Sequence, residues 1–567
     1  MRLTRLKIDK FRAIREADIR IGEELALVGQ NSAGKTSVLR ALNAFFNFGQ
    51  ERIAFETGQH AFSKNSLAVI DLTFSETPAD CNIERVSAGS EEVRARLKYR
   101  KTAQWQVMKG RDWVTAPPDL HQELQRFISY AFIPLRRDHH IAGWGPDGLM
   151  EHVVEAWVAS NRQRDYITPG IQRLSERIRT GTLDGLAKQL RKNTPLNGKF
   201  KFALEYEKVP DYTVLLRDLI LHVREGSQMV RLADSGSGTQ SMAVFALYSY
   251  LAELKNSTYI LGFEEPEQNL HPQAQNQLLA NLKSLDLQVI FTTHSSTMID
   301  ALNHEQVVLC RRVRSDNRDI ETRITQLPED FFASNGMDRD SYYKFHSRRN
   351  SEFFFADFVV VTESPIDAAV ISELLLGSGV SMEDLNMTIL SLDGVANLEN
   401  VFHLLRALDI ASAFVVDKDY FLPYKEAALK ESRDVKGFPK YASRLKTETV
   451  VEHLFPREAD RSRLLSLLLN NHSAAMEMLA TVDFFCFRWS LEIDLVAAKT
   501  PRERLYDLCS LYGTEERTTK GLLENRTKQI KRQDILIPAI SGLPPMKLPN
   551  SYKLLRRSLP VKAAAAT

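Results

Sequence analysis

The nine residues GQNSAGKTS, Gly29 to Ser37, stand between the apolar run Leu25-Ala26-Leu27-Val28 and the segment Val38-Leu39-Arg40-Ala41-Leu42. The pattern is GxxxxGK[ST], placed where it carries meaning, after a buried strand and before a helix. Its glycines let the backbone curl so that successive N–H groups face an anion, and the helix N-terminus adds partial positive charge. Gly29, Asn31, Ser32, Ala33, Gly34 and Ser37 are expected around the phosphates. Lys35 would reach the β- and γ-phosphates, and Thr36 would offer its hydroxyl to Mg2+. A chance glycine turn has the same form, but three later stretches supply the parts that such a loop needs.

The chain has 567 residues, 44% of them hydrophobic, enough for two or three domains each with its own core. No apolar run approaches bilayer length, and alternating residues follow Met1-Arg2-Leu3-Thr4-Arg5 where a signal peptide would be continuously apolar. A cytoplasmic location without a membrane partner is expected. Cys81, Cys310, Cys486 and Cys509 form no close pair, which argues against a zinc knuckle and a disulfide framework alike. A net charge of +2 predicts no nucleic-acid partner by itself. Local clusters exist at Arg136-Arg137, at Arg348-Arg349, at Lys528, Lys531 and Arg532, and from Lys547 through Lys553, Arg556 and Arg557 to Lys562. Solvated faces and phosphate contacts account for such runs equally well.

Leu3–Ile8 and Ala17–Ile21 alternate as strands of a half-covered sheet do, with Arg12 at their junction. Leu67–Phe74, Arg96–Met108 and Phe127–Leu135 read as further strands. Residues from about 148 to 205 read as a helical insertion, either a cap or a dimerisation arm, and far too short for long-range tethering. Ser237-Gly238-Thr239-Gln240 then opens a helical run and forms a second anion site, best used by nucleotide on another subunit. Tyr259 to Phe263 is a strand ending in Glu264 and Glu265, placed to hold Mg2+ through water and to polarise the attacking water respectively. Gln288–Thr293 is a buried strand ending at His294, which fits a γ-phosphate sensor.

These four elements, in this order, resemble the ABC-type ATPase heads of the RecF and structural-maintenance-of-chromosomes group. The resemblance implies ATP as ligand, with Glu264 where these heads usually carry Asp, and Thr239 where the signature usually has glycine. It also implies a homodimer or higher homo-oligomer, with heads meeting around nucleotide.

Val307–Arg312 and Ile320–Leu327 read as two last strands, and residues 328–355 as a linker with helical parts. A second programme follows. Phe358–Thr362 stops at Glu363 and leads into a helix past Asp367, Met387–Leu392 stops at Asp393-Gly394, and Ala413–Val416 stops at Asp417-Lys418-Asp419. Three strands in βα order each present acids at their carboxyl ends, where open parallel sheets place their sites. Hard oxygen donors without His or Cys favour Mg2+ or Mn2+, and two such ions support both oxygens of a phosphodiester displacement.

This half resembles the Toprim domain of topoisomerases, bacterial primases and overcoming-lysogenization-defect (OLD) nucleases, and its fusion to an ABC head is the OLD-family arrangement. The resemblance assigns Glu363 and Asp367 to the first Toprim motif, Gly394 to the second, and Asp417 with Asp419 to the third; Ser364 replaces a common glycine. It further implies a later glutamate, for which Glu452 is the choice and Glu448 the reserve, and a late lysine, Lys520 or Lys528. The expected fold is α/β: an ATPase head over residues 1–327, a Toprim core over 356–460, and a helical, basic extension over 461–567. The expected function is an ATP-gated, divalent-metal-dependent DNA endonuclease. The resemblance also implies a role in anti-phage defence, with a partner encoded nearby. A nucleotide-sensing interaction protein with inert Toprim acids is the alternative. A strand-passing or priming enzyme is disfavoured, since neither a catalytic tyrosine domain nor a zinc module is visible.

Overall fold

The computed structural model describes residues 1–87, 89–135, 149–160, 163–192, 203–204, 220–225, 228–282, 287–314, 320–346, 351–426, 429–513 and 515–566. The basic pairs at 136–137 and 348–349, and much of the insertion beyond residue 192, lie outside them. The chain divides into two compact units, residues 1–302 with 306–324, and residues 303–305 with 325–567. No described helix is long and apolar enough to cross a membrane.

The first unit is built on a 12-stranded sheet. Its opening strands are β1 (Arg2–Phe11), β2 (Ile14–Arg20) and β3 (Glu24–Val28). Next come β4 (Ala68–Ser75), β5 (Val93–Tyr99), β6 (Ala103–Lys109), β7 (Asp112–Thr115) and β8 (Ile128–Ile133). A separate hairpin joins β9 (His222–Glu225) to β10 (Gln228–Arg231). The sheet is completed by β11 (Thr258–Glu264), β12 (Gln288–Thr293), β13 (Val307–Arg314) and β14 (Ile320–Gln326). The order is β7-β6-β5-β4-β1-β2-β14-β13-β3-β12-β11-β8.

Two halves of this sheet follow two sequence patterns. β1 and β4 to β7 pair antiparallel, and β4 alternates buried with half-buried residues as a one-sided strand should. β3, β11 and β12 are parallel and almost wholly buried, which is why they read as unbroken apolar runs. The stretch Arg96–Met108 is two strands and not one: β5 and β6 form a hairpin that turns at 100–102. Of the insertion, the helices Leu149–Ser160, Gln163–Ile178 and Asp184–Lys192 are described.

The second unit holds a four-stranded parallel sheet of β15 (Phe358–Thr362), β16 (Met387–Ser391), β17 (Ala411–Val416) and β18 (Phe484–Cys486), ordered β16-β15-β17-β18. β18 comes from the region expected to be a helical extension. Its three residues are fully buried beside β17, so the extension contributes a strand to the sheet as well as helices to its flanks. Residues 328–355 do contain the expected helical parts, Phe331–Ser334 and Arg339–His346. They also bury Phe331, Tyr342, Phe345, Phe353 and Phe354 around His304, so this stretch is packed core.

Candidate nucleotide site and candidate active site

Parallel register delivers the head residues to one edge. Thr293 pairs with Val28 and Glu264 with Thr292, so the loop after β3, the acids at the end of β11 and His294 after β12 emerge side by side. Gly29 has φ 138°, and a Cβ there would lie 2.0 Å from the Cys310 carbonyl oxygen; Gly34 has φ 94° and is closed in by the Thr322 side chain. Neither position admits a side chain. Lys35 is buried, and its Nζ donates to the carbonyls of Gly29 and Gln30, 2.9 Å each. Burial lowers its pKa. The Thr36 hydroxyl donates to Glu264 Oε1 at 2.6 Å, while Glu264 Oε2 accepts from the Leu135 N–H at 3.2 Å.

The cleft is about 600 Å3, and Asn31, Ser32, Ala33, Gly34, Lys35, Thr36, Ser37, Glu264, Glu265 and His294 all line it. Arg12 lines it too. His294 Nε2 lies 3.7 Å from Glu265 Oε1, and burial, followed by the Lys35 charge, lowers the histidine's pKa. The reading of the sequence missed Glu267. Buried, it accepts from the Thr293 hydroxyl at 2.6 Å and the His294 N–H at 3.1 Å, and burial raises its pKa. The third acid of the Glu264-Glu265-Pro266-Glu267 run was the available signal.

Among the described residues, Gly238 and Thr239 are not brought to that cleft. Gly238 and Thr239 line a different one of about 590 Å3 with Asn269 and Leu270, and a Cβ on Gly238 would meet Leu270 Cδ2 at 2.2 Å. Ser237 begins the Ser237–Lys255 helix; its side chain lies outside the described residues.

In the second unit β15 and β17 are neighbours, with Thr362 opposite Val415, so the residues that follow them meet. Glu363 Oε1 accepts from the Asp417 N–H at 2.9 Å, Asp417 Oδ1 from the Leu491 N–H at 3.1 Å, and Asp419 Oδ2 from the Tyr424 hydroxyl at 3.2 Å. Gly394, after β16, donates its N–H to the Glu363 carbonyl at 3.0 Å and has φ 127°, so it fixes the Glu363 backbone. Asp367 and Ser364 close a capping box on the Pro365–Leu376 helix, with Asp367 Oδ2 taking the Ser364 N–H at 3.0 Å. Serine is thus used where glycine is common in the motif.

The electrostatics of these acids are those of crowded negative charge. Burial pushes Glu363 up to about 7, helped by Asp419 and Asp367 and opposed by the Asp417 N–H and Lys446. Asp367 rises to about 6 through burial, with Glu492 adding repulsion and Lys531 opposing it. Asp417 is raised well above the usual carboxylate range by burial, then by Glu363, Glu492, Asp367 and Asp419.

Two further groups at this site were not chosen from the sequence. Glu492 is buried, accepts from the Ser490 hydroxyl at 2.7 Å, and pairs with Lys531 at 3.3 Å. The Glu492 charge does most to raise the Lys531 pKa, and Asp417 and Asp367 also contribute. Glu452 is exposed in the Thr449–Leu454 helix and is not among the charges acting on Asp417. Glu448 neighbours Lys446 and Glu399. Lys520 is exposed and pairs with Glu524 at 3.9 Å, and Lys528 is exposed. The structure therefore gathers Glu363, Asp367, Asp417 and Asp419 with Glu492 and Lys531, in place of Glu452 and Lys520. The missed signal was β18: Glu492 follows a third strand beside the acids, as Glu363 and Asp417 follow theirs.

Among the described residues, no three His, Cys, Asp or Glu side chains already enclose a metal position. The donors nonetheless suit a hard cation. Glu363 Oε2, Asp417 Oδ2 and Asp419 Oδ1 take no hydrogen bond among the described residues, and none is a sealed, unsatisfied atom. Each acid spends one oxygen on the protein and keeps the other, and their mutual repulsion is what a divalent ion relieves.

Residues 25–300 match the family model "AAA domain, putative AbiEii toxin, Type IV TA system", and residues 354–419 match "Overcoming lysogenization defect protein-like, TOPRIM domain". The chain is 24% identical over 478 residues to the OLD nuclease of Thermus scotoductus, covering 76% of this chain and 84% of that protein. It is 25% identical over 214 residues to the Old nuclease of Escherichia phage P2, 35% of this chain and 36% of that one. Among solved structures, an SmcHead bound to the C-winged helix domain of ScpA aligns with 58% of this chain and 99% of its own at 15% identity and TM-score 0.37. The SMC head domain from Thermotoga maritima aligns with 58% and 100% at 16% identity and TM-score 0.29.

Proposed function

We propose that this chain, an ATPase–Toprim fusion with the domain pairing of the OLD family, is a DNA endonuclease that depends on divalent metal and is gated by ATP. The observation that carries the reading is the meeting of Glu363, Asp417 and Asp419 at adjacent strand ends, each with one oxygen uncommitted among the described residues and with pKa values of the first two raised by burial and then by neighbouring acids. Glu363, Asp417, Asp419 and Glu492 would hold the metal, Mg2+ or Mn2+. Such an ion lowers the pKa of water and supports the departing oxygen of a phosphodiester.

The chain's own residues do the rest. The Asp417 and Leu491 N–H groups fix two carboxylates, Asp367 holds the first turn that carries Ser364, and Lys531 offers a cation to the phosphate's developing charge. At the head, Lys35, whose Nζ now donates to backbone carbonyls, would turn to phosphate, Thr36 and Glu264, already hydrogen-bonded to each other, would hold Mg2+, and Glu265 with His294 would face the γ-phosphate. Two heads in a dimer would bring Gly238 and Thr239 of each to the other's nucleotide. An anti-phage role and a defence partner encoded nearby belong to the same reading.

A second reading, recruitment of a partner by a chain with inert Toprim acids, is favoured by one observation: no three carboxylates yet converge on a common point among the described residues. Plasmid nicking with Mg2+ or Mn2+, with and without ATP, separates the two. Metal-dependent cleavage lost in Asp417→Ala supports the nuclease; absence of cleavage under every condition leaves the recruitment reading.

A further inference from the structure

Lys418 stands between Asp417 and Asp419 in sequence, yet it lines a cleft of about 800 Å3 whose walls include neither acid. The volume is that of a small-ligand site. Lys425, Lys440 and Arg488 line the same cleft. Its one carboxylate, Asp494, is already committed, accepting the N–H groups of Arg488 and Trp489 at 3.0 Å each and the Ser551 hydroxyl. Among the described residues none of the four cations forms a close ion pair, although the Asp494 charge acts on Lys418 and Arg488, whereas cations elsewhere do pair closely, as in Arg5 with Asp18 and Arg532 with Asp534.

Two of these cations are held by side-chain contacts, and the backbone places the other two. Lys418 is 7% exposed; its Nζ donates to the Leu468 carbonyl at 2.6 Å and lies 5.2 Å from the centre of the Tyr441 ring. The Arg488 guanidinium lies 4.5 Å over Trp489, and the Lys425 N–H donates to the Lys440 carbonyl at 3.0 Å, which sets those two residues side by side. The first turn of the His472–Ala480 helix faces the same space and adds its N-terminal partial charge. Four cations around one cavity, one of them buried, outnumber its single carboxylate, and an anion with several oxygens would balance the excess.

We propose that this cleft is a phosphate-binding site, distinct from the head and from the acid cluster, and that the phosphates are those of a nucleic-acid strand. A free polyphosphate has the same chemistry and is the other source the test separates. The proposal stands without the nuclease reading, since it needs no cleavage.

The test uses the full chain in EDTA, so that no strand is cut. Lysine acylation is mapped by peptide mass spectrometry with a 20-nucleotide single strand or with inorganic tripolyphosphate as probe. The strand is expected to protect Lys425 and Lys440 several-fold and to leave Lys520 unchanged. The variant Lys425→Glu/Lys440→Glu/Arg488→Glu should bind the labelled strand at least about 10-fold more weakly in fluorescence anisotropy. Its log–log salt slope should fall by about 2, since each phosphate that the protein neutralises on a single strand adds about 0.7. Protection by tripolyphosphate and not by the strand keeps the phosphate site and overturns its nucleic-acid source. Protection by neither probe overturns the proposal, whatever the variant does. A chain that never cleaves DNA but shows the protection sinks the nuclease reading and leaves this one standing.

Discussion

Each acid of the Toprim site gives one oxygen to the protein, and this division of labour sets the chemistry at the scale of single residues. Asp417→Asn keeps an acceptor for the Leu491 N–H and removes the charge; cleavage of supercoiled plasmid should fall by more than about 100-fold, beyond the usual loss for a residue that merely orients a ligand. Retained cleavage would remove Asp417 from the metal set. Lys531→Met should slow turnover by about 100-fold or more with little change in KM, while Lys520→Ala, which loses only a pair with Glu524, should be neutral in the same assay. The pH dependence has a definite sign. Glu363 is raised to about 7 from an ordinary 4.5, so without metal the folded chain binds more protons than the unfolded chain between those values, and stability falls as pH rises through them. Thermal melts in EDTA should therefore decline from pH 5 to 8, less steeply in Glu363→Gln. Added Mg2+ should reverse the trend above pH 7, and a flat profile in EDTA would contradict the raised Glu363 pKa.

At the scale of elements, the capping box of Ser364 and Asp367 starts the helix that follows β15, so one pair of side chains both caps a helix and sits beside the acids. Ser364→Ala should cost about 1 kcal/mol of stability, read as a lower denaturant midpoint, since it removes the cap from the Asp367 N–H. Gly34→Ala should abolish ATP binding with the fold retained in circular dichroism, because φ 94° and the Thr322 side chain leave no room for a Cβ. These elements were legible because their signals are local: a glycine-rich loop after a buried strand, acids one residue beyond an apolar run. Glu492 and Lys531 were not. Their nearness to Asp417 depends on β18, a three-residue strand that pairs with β17 across about 70 residues of sequence and is too short to show a period of its own. Glu452 was chosen by helix context, and that context also fits its exposed position. The turn between β5 and β6 escaped notice because residues 100–102 carry no glycine or proline to mark it.

At the scale of the whole molecule, the head holds two separate clefts, both of which the proposed function assigns to nucleotide. The loop cleft contains Lys35 and Glu265, and the signature cleft contains Gly238 and Thr239. In the proposed reading a second copy completes the divided site, and ATP between the copies would supply the attraction. If turnover separates them, blocking Glu265 should trap the pair. Sedimentation velocity of Glu265→Gln with Mg-ATP should show a dimer that returns to the smaller species when ATP is removed. Thr239→Arg in the same background should prevent the shift, because the added side chain would fill the cleft proposed to meet the partner's nucleotide. Gating then makes its own demand: Thr239→Arg should leave ATP binding to the isolated chain within about twofold, while the effect of ATP on plasmid cleavage disappears. Sedimentation of Glu265→Gln that ATP does not alter would break the link between nucleotide and assembly, and cleavage by Thr239→Arg that still responds to ATP would place the gate inside one chain.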